Sequence, residues 1–406
     1  MKNWLTIGIG VKRWLVTLAL GALLFGGGVV LLLIPMFGFS APFPAGWQQL
    51  GAAVAICLGI ILGIVSIVRL VRSVTAPFTQ GDESLADAIL YYRKRHQGPK
   101  IVAIGGGTGL SNLLRGLTQY TSNITAIVTV ADDGGSSGRL RREFGMLPPG
   151  DFRNNIAALS RDEALMTQLL QYRFGGNKEN QGLSGHAFGN LLIAALVGLT
   201  GSFEDALLAT RRVLSIRGQV LPSTLTSVDL IADIEVDGKL KKVQGESNIS
   251  HENGIIRKIE ILPPSARGYP EAIRSILDAD LIVLGPGSLF TSIIPNLLIQ
   301  DIAKAVESGK GKVVYVCNVY SQPGETENYS VSDHVNKLHD YISPDTIDYV
   351  LANNHAVEPT AAGEGHPILV DQLSDVQLIQ ADLIDENKPW RHNSEKLSLS
   401  LVQLLS

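Results

Sequence analysis

The stretch Ile124–Arg142 reads ITAIVTVADDGGSSGRLRR. It begins as an apolar, β-branched run and ends in two adjacent carboxylates, Asp132 and Asp133, followed by five residues with almost no side chain and then by arginines. Side chains alternate along a strand, so only one of two adjacent aspartates needs to face a ligand or a metal. The other is then free to cap the loop. Small residues beyond them present backbone N–H groups as an anion nest. Arg139, Arg141 and Arg142 either pair with phosphates or face water. An Asp-rich surface turn is the competing explanation, but paired carboxylates beside a glycine nest exceed what a turn requires. Either Asp132 or Asp133 is thus a candidate ligand or metal contact.

Two other loops have comparable chemistry. After the strand-like IVAI comes Gly105-Gly106-Gly107-Thr108-Gly109, then LSNLLRGL at helical spacing. Glycines there let the backbone approach a phosphate, and the helix N-terminus favours the anion. Leu110 stands where the dinucleotide fingerprint G-x-G-x-x-G needs glycine, and no G-x-x-x-x-G-K-[ST] occurs. The third loop, Gly285-Pro286-Gly287-Ser288, follows LIVL. Asn154, Asn155 and Asn190 carry amides able to read sugar or base edges, although asparagine more often caps and turns. Asp151 suits a helix N-cap. His186 lacks the partner of an H-E-x-x-H site, and no G-x-S-x-G elbow is present.

Strands alternating with helices must position these loops. Helical spacing recurs near 154–159, 165–172, 190–199 and 203–214, and further strands are expected at LIVLG, KVVYVCN and DYVLANN. The expected fold class is α/β, a Rossmann-like doubly wound, mainly parallel sheet. A β-hairpin insertion turns at Asp237-Gly238. Ligands of such sheets lie beyond the carboxyl ends of the strands, so the turns near 106, 133 and 287 are expected to meet at one edge.

The N-terminal region differs. Residues 15–37 and 50–68 are uncharged apolar runs of about the ~20 residues that span a bilayer. Overall charge density is only 18% and mean hydropathy is +0.19. Lys2, Lys12 and Arg13 precede the first run and Arg69 and Arg72 follow the second, while the connecting turn carries Pro42, Pro44 and Trp47 but no Lys or Arg. The positive-inside rule then places both termini in the cytoplasm of a two-span protein of the cell membrane, with Trp14 and Trp47 at the interfaces. Three segments are expected: a membrane hairpin over 1–76, a linker over 77–98 with a short amphipathic helix from about Ser84 to His96, and the α/β domain over 99–406. A net charge of −4 gives no global field for nucleic acid. Cys57 and Cys317 offer no disulfide framework and no zinc spacing; two buried, reduced thiols are expected.

The motifs IVAIGGGTGLSNLLRGL, TVADDGGSSGRLRREFGMLPPGDFRNNIAALS, GHAFGNLLIAAL, LIVLGPGSLFTSIIPNLL and CNVYSQPGET occur in order. Over residues 99–390 the chain resembles the bacterial gluconeogenesis factor family, which shares a superfamily with 2-phospho-L-lactate transferase. The resemblance implies a Rossmann-like domain holding a nucleotide-linked ligand: a uridine-diphosphate sugar such as UDP-N-acetylglucosamine for the gluconeogenesis factors, supporting carbon balance, cell-wall synthesis and cell shape during gluconeogenic growth. For the transferase branch it implies transfer of a phospholactyl-type group from a guanosine diphosphate donor to a deazaflavin, with magnesium. By resemblance, Gly106, Gly107, Thr108 and Asn190 line the nucleotide site, Asp132 serves magnesium or a phosphate-bound water, and Gly287 with Ser288 closes the pocket. Asp133, Asn154 and Gly285 complete the candidate set from the residue reading above. Typical members begin near KIVAIGGGTG, so the hairpin is a departure that would set this copy beside the lipid-linked cell-wall machinery. A sensor without turnover, a transferase, and a membrane scaffold that has lost its ligand remain the three readings.

Overall fold

The computed structural model describes residues 11–34, 44–75, 98–160, 163–175, 182–214, 216–252, 254–355 and 365–405. The chain divides into two units, Met1–Arg93 and Lys94–Ser406. The linker helix expected near Ser84–His96 lies outside the described residues.

In the first unit the helices Val11–Leu33 and Ala45–Thr75 start earlier than the charge-free runs, and the second also ends later. Helical hydrogen bonding does not stop where charge begins, so Arg13 and Arg69 lie within helical turns. Both helices are long and apolar enough to cross a membrane. Their outward faces carry exposed Leu, Val and Ile, and Cys57 is exposed as well, contrary to the expectation of two buried thiols; Cys317 is buried. A cysteine behaves as a small hydrophobe, and on an all-apolar helix either face accepts it. Glycine sets the helix–helix contact. A Cβ on Gly59 would lie 2.7 Å from the carbonyl oxygen of Gly21 and 2.7 Å from the amide nitrogen of Phe25. One turn from the charged end, Ser66 Oγ donates to Thr17 Oγ1 at 2.8 Å. Gly59→Leu therefore separates the helices. In a Thr17→Cys, Ser66→Cys background, oxidative cross-linking within the hairpin should fall at least fivefold when Gly59→Leu is added, measured by gel shift.

The second unit is built on seven strands: β1 Ile101–Gly105, β2 Ile124–Val128, β3 Gln219–Pro222, β7 Leu281–Leu284, β8 Lys312–Val316, β9 Tyr349–Asn353 and β10 Gln377–Ala381. They run in the order β10-β9-β8-β7-β1-β2-β3, every neighbour parallel. β1, β2 and β7 are wholly buried apolar runs, as a sheet covered on both faces requires. The chain passes from β1 outward to β3 on one side, then returns to β7 and proceeds to β10 on the other. The order thus reverses between β1 and β7, and this is the topological switch point.

The insertion is larger than a hairpin. β4 Asp229–Val236, β5 Lys239–Gln244 and β6 Ile255–Leu262 form a separate antiparallel sheet in the order β5-β4-β6. The expected turn is present, with Asp237 and Gly238 at φ 50° and 74°. Between β5 and β6 lies the helix Glu246–His251. A last antiparallel pair, β11 Ile384–Asp385 and β12 Lys388–His392, precedes the terminal helix Ser394–Gln403.

Candidate functional site

The helix Gly107–Leu117 forms because Leu110, Leu113, Leu114 and Leu117 recur at helical spacing, and all four are fully buried. Its N-cap residue, Gly106, has no side chain with which to cap it. Gly107, at φ +64°, donates its N–H to Asp151 Oδ2 at 2.8 Å. Close packing fixes the glycines on either side. A Cβ on Gly106 would lie 2.6 Å from Asp151 Oδ2, and one on Gly109 would lie 2.6 Å from the carbonyl oxygen of Pro286. The loops after β1 and β7 therefore touch backbone to backbone across the switch point.

A cleft of about 560 Å³ opens there. Gly106, Gly107, Thr108 and Gly109 line one side, and Pro286, Gly287, Ser288 and Ser292 another. The far wall holds Asn318, Tyr320, Gln322 and Glu325, with Trp390 and Arg391 from β12, and Asn112 and Arg115 reach it from the helix. Asn318 Nδ2 donates to the Gly287 carbonyl at 2.8 Å, and Asn112 Nδ2 donates to the His392 carbonyl. These bonds fix β12 and the loop after β8 as parts of one wall. Ser288 Oγ accepts from the Thr291 amide at 3.0 Å and donates to the Glu325 carboxylate.

Of the residues expected from sequence, Gly106, Gly107, Thr108, Gly287 and Ser288 line this cleft. Gly285, at φ +88°, lies just before it, where its N–H continues the sheet by donating to Ile104 O at 2.8 Å. The acidic loop reaches the cleft indirectly. Asp132 Oδ1 accepts from the Gly134 amide at 2.9 Å, and its Oδ2 lies against Gly150, the residue before Asp151. Asp133 Oδ1 accepts from both the amide and the hydroxyl of Ser247, at 2.9 and 2.6 Å, which ties the acidic loop to the insertion. Asp151 is not the expected helix cap. Pro149 occupies that position and Asp151 sits in the first turn of Gly150–Ala158, its carboxylate turned to Gly107. Asn154 and Asn190 hold a buried arginine: Arg153 donates through Nη2 to Asn154 Oδ1 at 3.0 Å and through Nη1 to Asn190 Oδ1 at 3.1 Å. Asn190 Nδ2 then donates to Ser136 Oγ, which bonds His186 Nδ1. Of the arginines after the acidic loop, Arg141 pairs with Asp229 at 2.7 Å and Arg139 donates to the Ser184 carbonyl.

Carboxylates dominate the electrostatics. Burial pushes Asp151 up to about 6, with Asp132 adding to the rise. Burial raises Asp132 and Glu325 as well. Glu246 is pushed up to about 8, first by burial and then by Asp132, Asp133, Asp151 and Glu325. Arg153 acts on Asp132 and Asp151 in the opposite direction. The cluster carries more negative charge than its buried cation offsets. No group of three or more His, Cys, Asp or Glu among the described residues is placed to hold an ion. Magnesium, however, is commonly held by one or two carboxylates together with substrate phosphates. The hard oxygen donors at Asp132 and Asp151 suit that arrangement.

Sequence reasoning missed Glu246, Glu325, Arg115, Trp390 and Arg391. Glu246 comes from the insertion, Glu325 from the loop after β8 and Trp390 with Arg391 from a distant hairpin, while Arg115 lies on the helix after the glycine loop, where it reads as an ordinary surface charge. The excess of carboxylate over partner becomes visible only when four separate segments meet.

The fold and cleft together define a doubly wound α/β protein with a glycine-lined ligand cleft at its switch point. Residues 101–387 match the family described as 2-phospho-L-lactate transferase CofD. The Gluconeogenesis factor of Bacillus subtilis is 44% identical over 319 residues, covering 76% of this chain and 99% of that protein. A Nostoc relative, also named as a gluconeogenesis factor, is 43% identical over 426 residues, covering 99% of this chain and 92% of its own. Its match therefore extends through the N-terminal helices. A crystal structure of a UPF0052-family protein from Bacillus halodurans is 41% identical and superposes with a TM-score of 0.70, covering 75% of this chain and 99% of that one. The chain belongs to the 2-phospho-L-lactate transferase family, in its gluconeogenesis-factor branch.

Proposed function

We propose that the protein binds a nucleoside-diphosphate sugar of the UDP-N-acetylglucosamine type in the cleft between the β1 and β7 loops. The observation that carries this reading is the start of the helix Gly107–Leu117, set in a glycine loop and opening on a cleft of about 560 Å³, beyond the Gly107 N–H that Asp151 accepts. First-turn N–H groups suit a diphosphate. Arg115 and Arg391 supply cations, and Trp390 with Asn318 and Gln322 supplies an apolar face and amides for a base or sugar. Magnesium at Asp132 and Asp151 would neutralise the diphosphate against the carboxylates. In the cell the protein would be anchored in the membrane by its hairpin, with both termini cytoplasmic. It would support carbon balance, cell shape and wall synthesis during gluconeogenic growth, next to the wall-building machinery. The names of the Nostoc and Bacillus subtilis relatives support the link to gluconeogenesis.

Titration of the purified full chain with UDP-N-acetylglucosamine and magnesium should raise its melting temperature by several degrees at millimolar ligand. Arg391→Ala should weaken binding at least tenfold, since a charge-assisted bond to phosphate is worth about 1.5–3 kcal/mol. No heat and no shift at millimolar ligand would end this reading.

A transferase reading is favoured by one feature, the carboxylate cluster beside the glycine loop. Transfer at a diphosphate needs charge neutralisation more than a covalent nucleophile. Sustained release of nucleoside monophosphate from a nucleoside-diphosphate-linked donor, lost in Asp132→Asn, would replace the sensor with an enzyme.

A further inference from the structure

We propose that the charged end of the N-terminal hairpin is a binding site for the phosphodiester of an anionic phospholipid, clamped by Arg13 and Arg69 beside Trp14. The inference rests on reading the hairpin as membrane-spanning and goes beyond it, because it assigns a defined headgroup site in place of a diffuse positive flank.

The two arginines belong to different helices, yet both converge on one indole. The guanidinium carbon of Arg13 lies 5.7 Å from the Trp14 ring centroid and that of Arg69 lies 5.1 Å from it. Their guanidinium carbons are therefore no more than about 11 Å apart; a phosphate bonded to both spans about 8 Å between those carbons, so rotation of the two exposed side chains brings both onto one phosphate. The arrangement is fixed from within. Thr17 Oγ1 donates to the Trp14 carbonyl at 3.0 Å, and Ser66 Oγ donates to Thr17 Oγ1 at 2.8 Å. Ser66 is buried, and it precedes Arg69 by one helical turn. The bond between the helices sets their register, so the arginines arrive at the same level.

Nothing in the hairpin neutralises them. The first 81 residues contain no Asp or Glu, while Lys12, Arg13, Arg69 and Arg72 all fall at the same end of the two helices. Among the described residues neither Arg13 nor Arg69 forms an ion pair with a carboxylate, and both side chains are exposed. Two cations against one ring repel each other unless an anion lies between them. A phosphodiester presents two oxygens in a plane that matches the guanidinium fork. An indole at this depth occupies the headgroup layer, where that anion is found. Phosphatidylcholine carries its own ammonium beside the phosphate, so the site should favour phosphatidylglycerol.

The test uses the full chain. Membranes are first washed with alkaline carbonate; release of the protein into the supernatant would refute the membrane-spanning reading itself. Retained protein is then placed in nanodiscs of phosphatidylglycerol and phosphatidylcholine, and the lipid kept on the protein is counted by native mass spectrometry. The wild type should retain phosphatidylglycerol over phosphatidylcholine by at least tenfold. Arg13→Gln with Arg69→Gln should reduce this preference to within twofold of none, while Lys12→Gln with Arg72→Gln removes equal charge from the same end of the helices and should preserve at least half of it. Arg13→Lys with Arg69→Lys keeps the charge and membrane insertion, and should still lose at least threefold for want of the planar fork. Equal losses in the glutamine pairs, or full retention in the lysine pair, would reduce the site to diffuse electrostatics and overturn the proposal. Displacement of the lipid by 20 mM inorganic phosphate would also overturn it, since the ligand would then be a soluble anion.

Discussion

Gly106→Ala should abolish measurable binding of UDP-N-acetylglucosamine, with at least a hundredfold loss of affinity, while the domain remains folded. Gly106 is extended, at φ −173° and ψ −174°, so alanine suits its backbone. The obstacle is space. The added methyl would meet Asp151 Oδ2 at 2.6 Å, Thr129 Cγ2 at 2.9 Å and Ser292 Oγ at 3.4 Å. Asp151 Oδ2 is also the acceptor of the Gly107 N–H. Asp151 is half-buried and bound to the Gly107 N–H, so the methyl must displace either the carboxylate, breaking that bond, or the glycine loop. Both routes move the helix start away from the β7 loop. Overpacking of this kind costs about 1–3 kcal/mol, a drop of a few degrees in melting temperature for a domain of this size. Gly198→Ala is the control. Its Cβ would meet nothing within 4 Å and it lies in the helix Phe188–Thr200, so it should keep full binding and lose no stability. Calorimetric titration of both variants decides the matter: wild-type affinity in Gly106→Ala would mean that the ligand does not use this loop.

The scaffold was legible in the sequence because its signals are local. β1 and β2 are short β-branched runs, β1 ending in glycine, Asp237-Gly238 is a turn, and Leu110 through Leu117 follow one helical face. Such patterns reflect backbone and burial preferences that neighbours a few residues away enforce. The meeting of the 106 and 287 loops was also legible, since parallel strands put their carboxyl ends on one edge. The roles of Asp151 and Glu246 were not. Asp151 has the residue type of a helix cap, and Pro149 holds that position because the chain must turn Asp151 toward Gly107, 44 residues away. Glu246 sits on a helix inside an insertion that reads as a simple hairpin. Its environment is set by Asp133 gripping Ser247 across 114 residues. Asn154 and Asn190 read as ligand amides, yet both are committed to Arg153, an assignment that depends on which helices pack together and leaves no trace in spacing.

Glu246→Gln should stabilise the protein at alkaline pH and leave it unchanged in acid. The Glu246 carboxyl is pushed up from 4.5 to about 8 by burial and by four other carboxylates. A group whose folded pKa is raised contributes stability that is complete below its unfolded value and is lost as pH rises through its folded value. For Glu246 that window runs from about 4.5 to about 8. Asp151, pushed up to about 6, adds a loss of the same sign at the lower end. The wild type should therefore melt at progressively lower temperature between pH 5 and pH 8.5, as charge is forced onto a cluster that Arg153 offsets only in part. Glutamine keeps the shape and carries no charge, so its curve should be flatter. The two proteins should agree within about 1 °C at pH 5 and differ by about 5 °C at pH 8.5, for an effect on the order of 2 kcal/mol. Magnesium provides an independent check, because a cation held by Asp132 and Asp151 relieves the same repulsion. At pH 8.5, 5 mM magnesium chloride should raise the wild-type melting temperature, and raise that of Glu246→Gln by less. Parallel melting curves across the whole range, unaffected by magnesium, would mean that these carboxylates do not share one electrostatic site, and the diphosphate would then have to be neutralised by Arg115 and Arg391 instead.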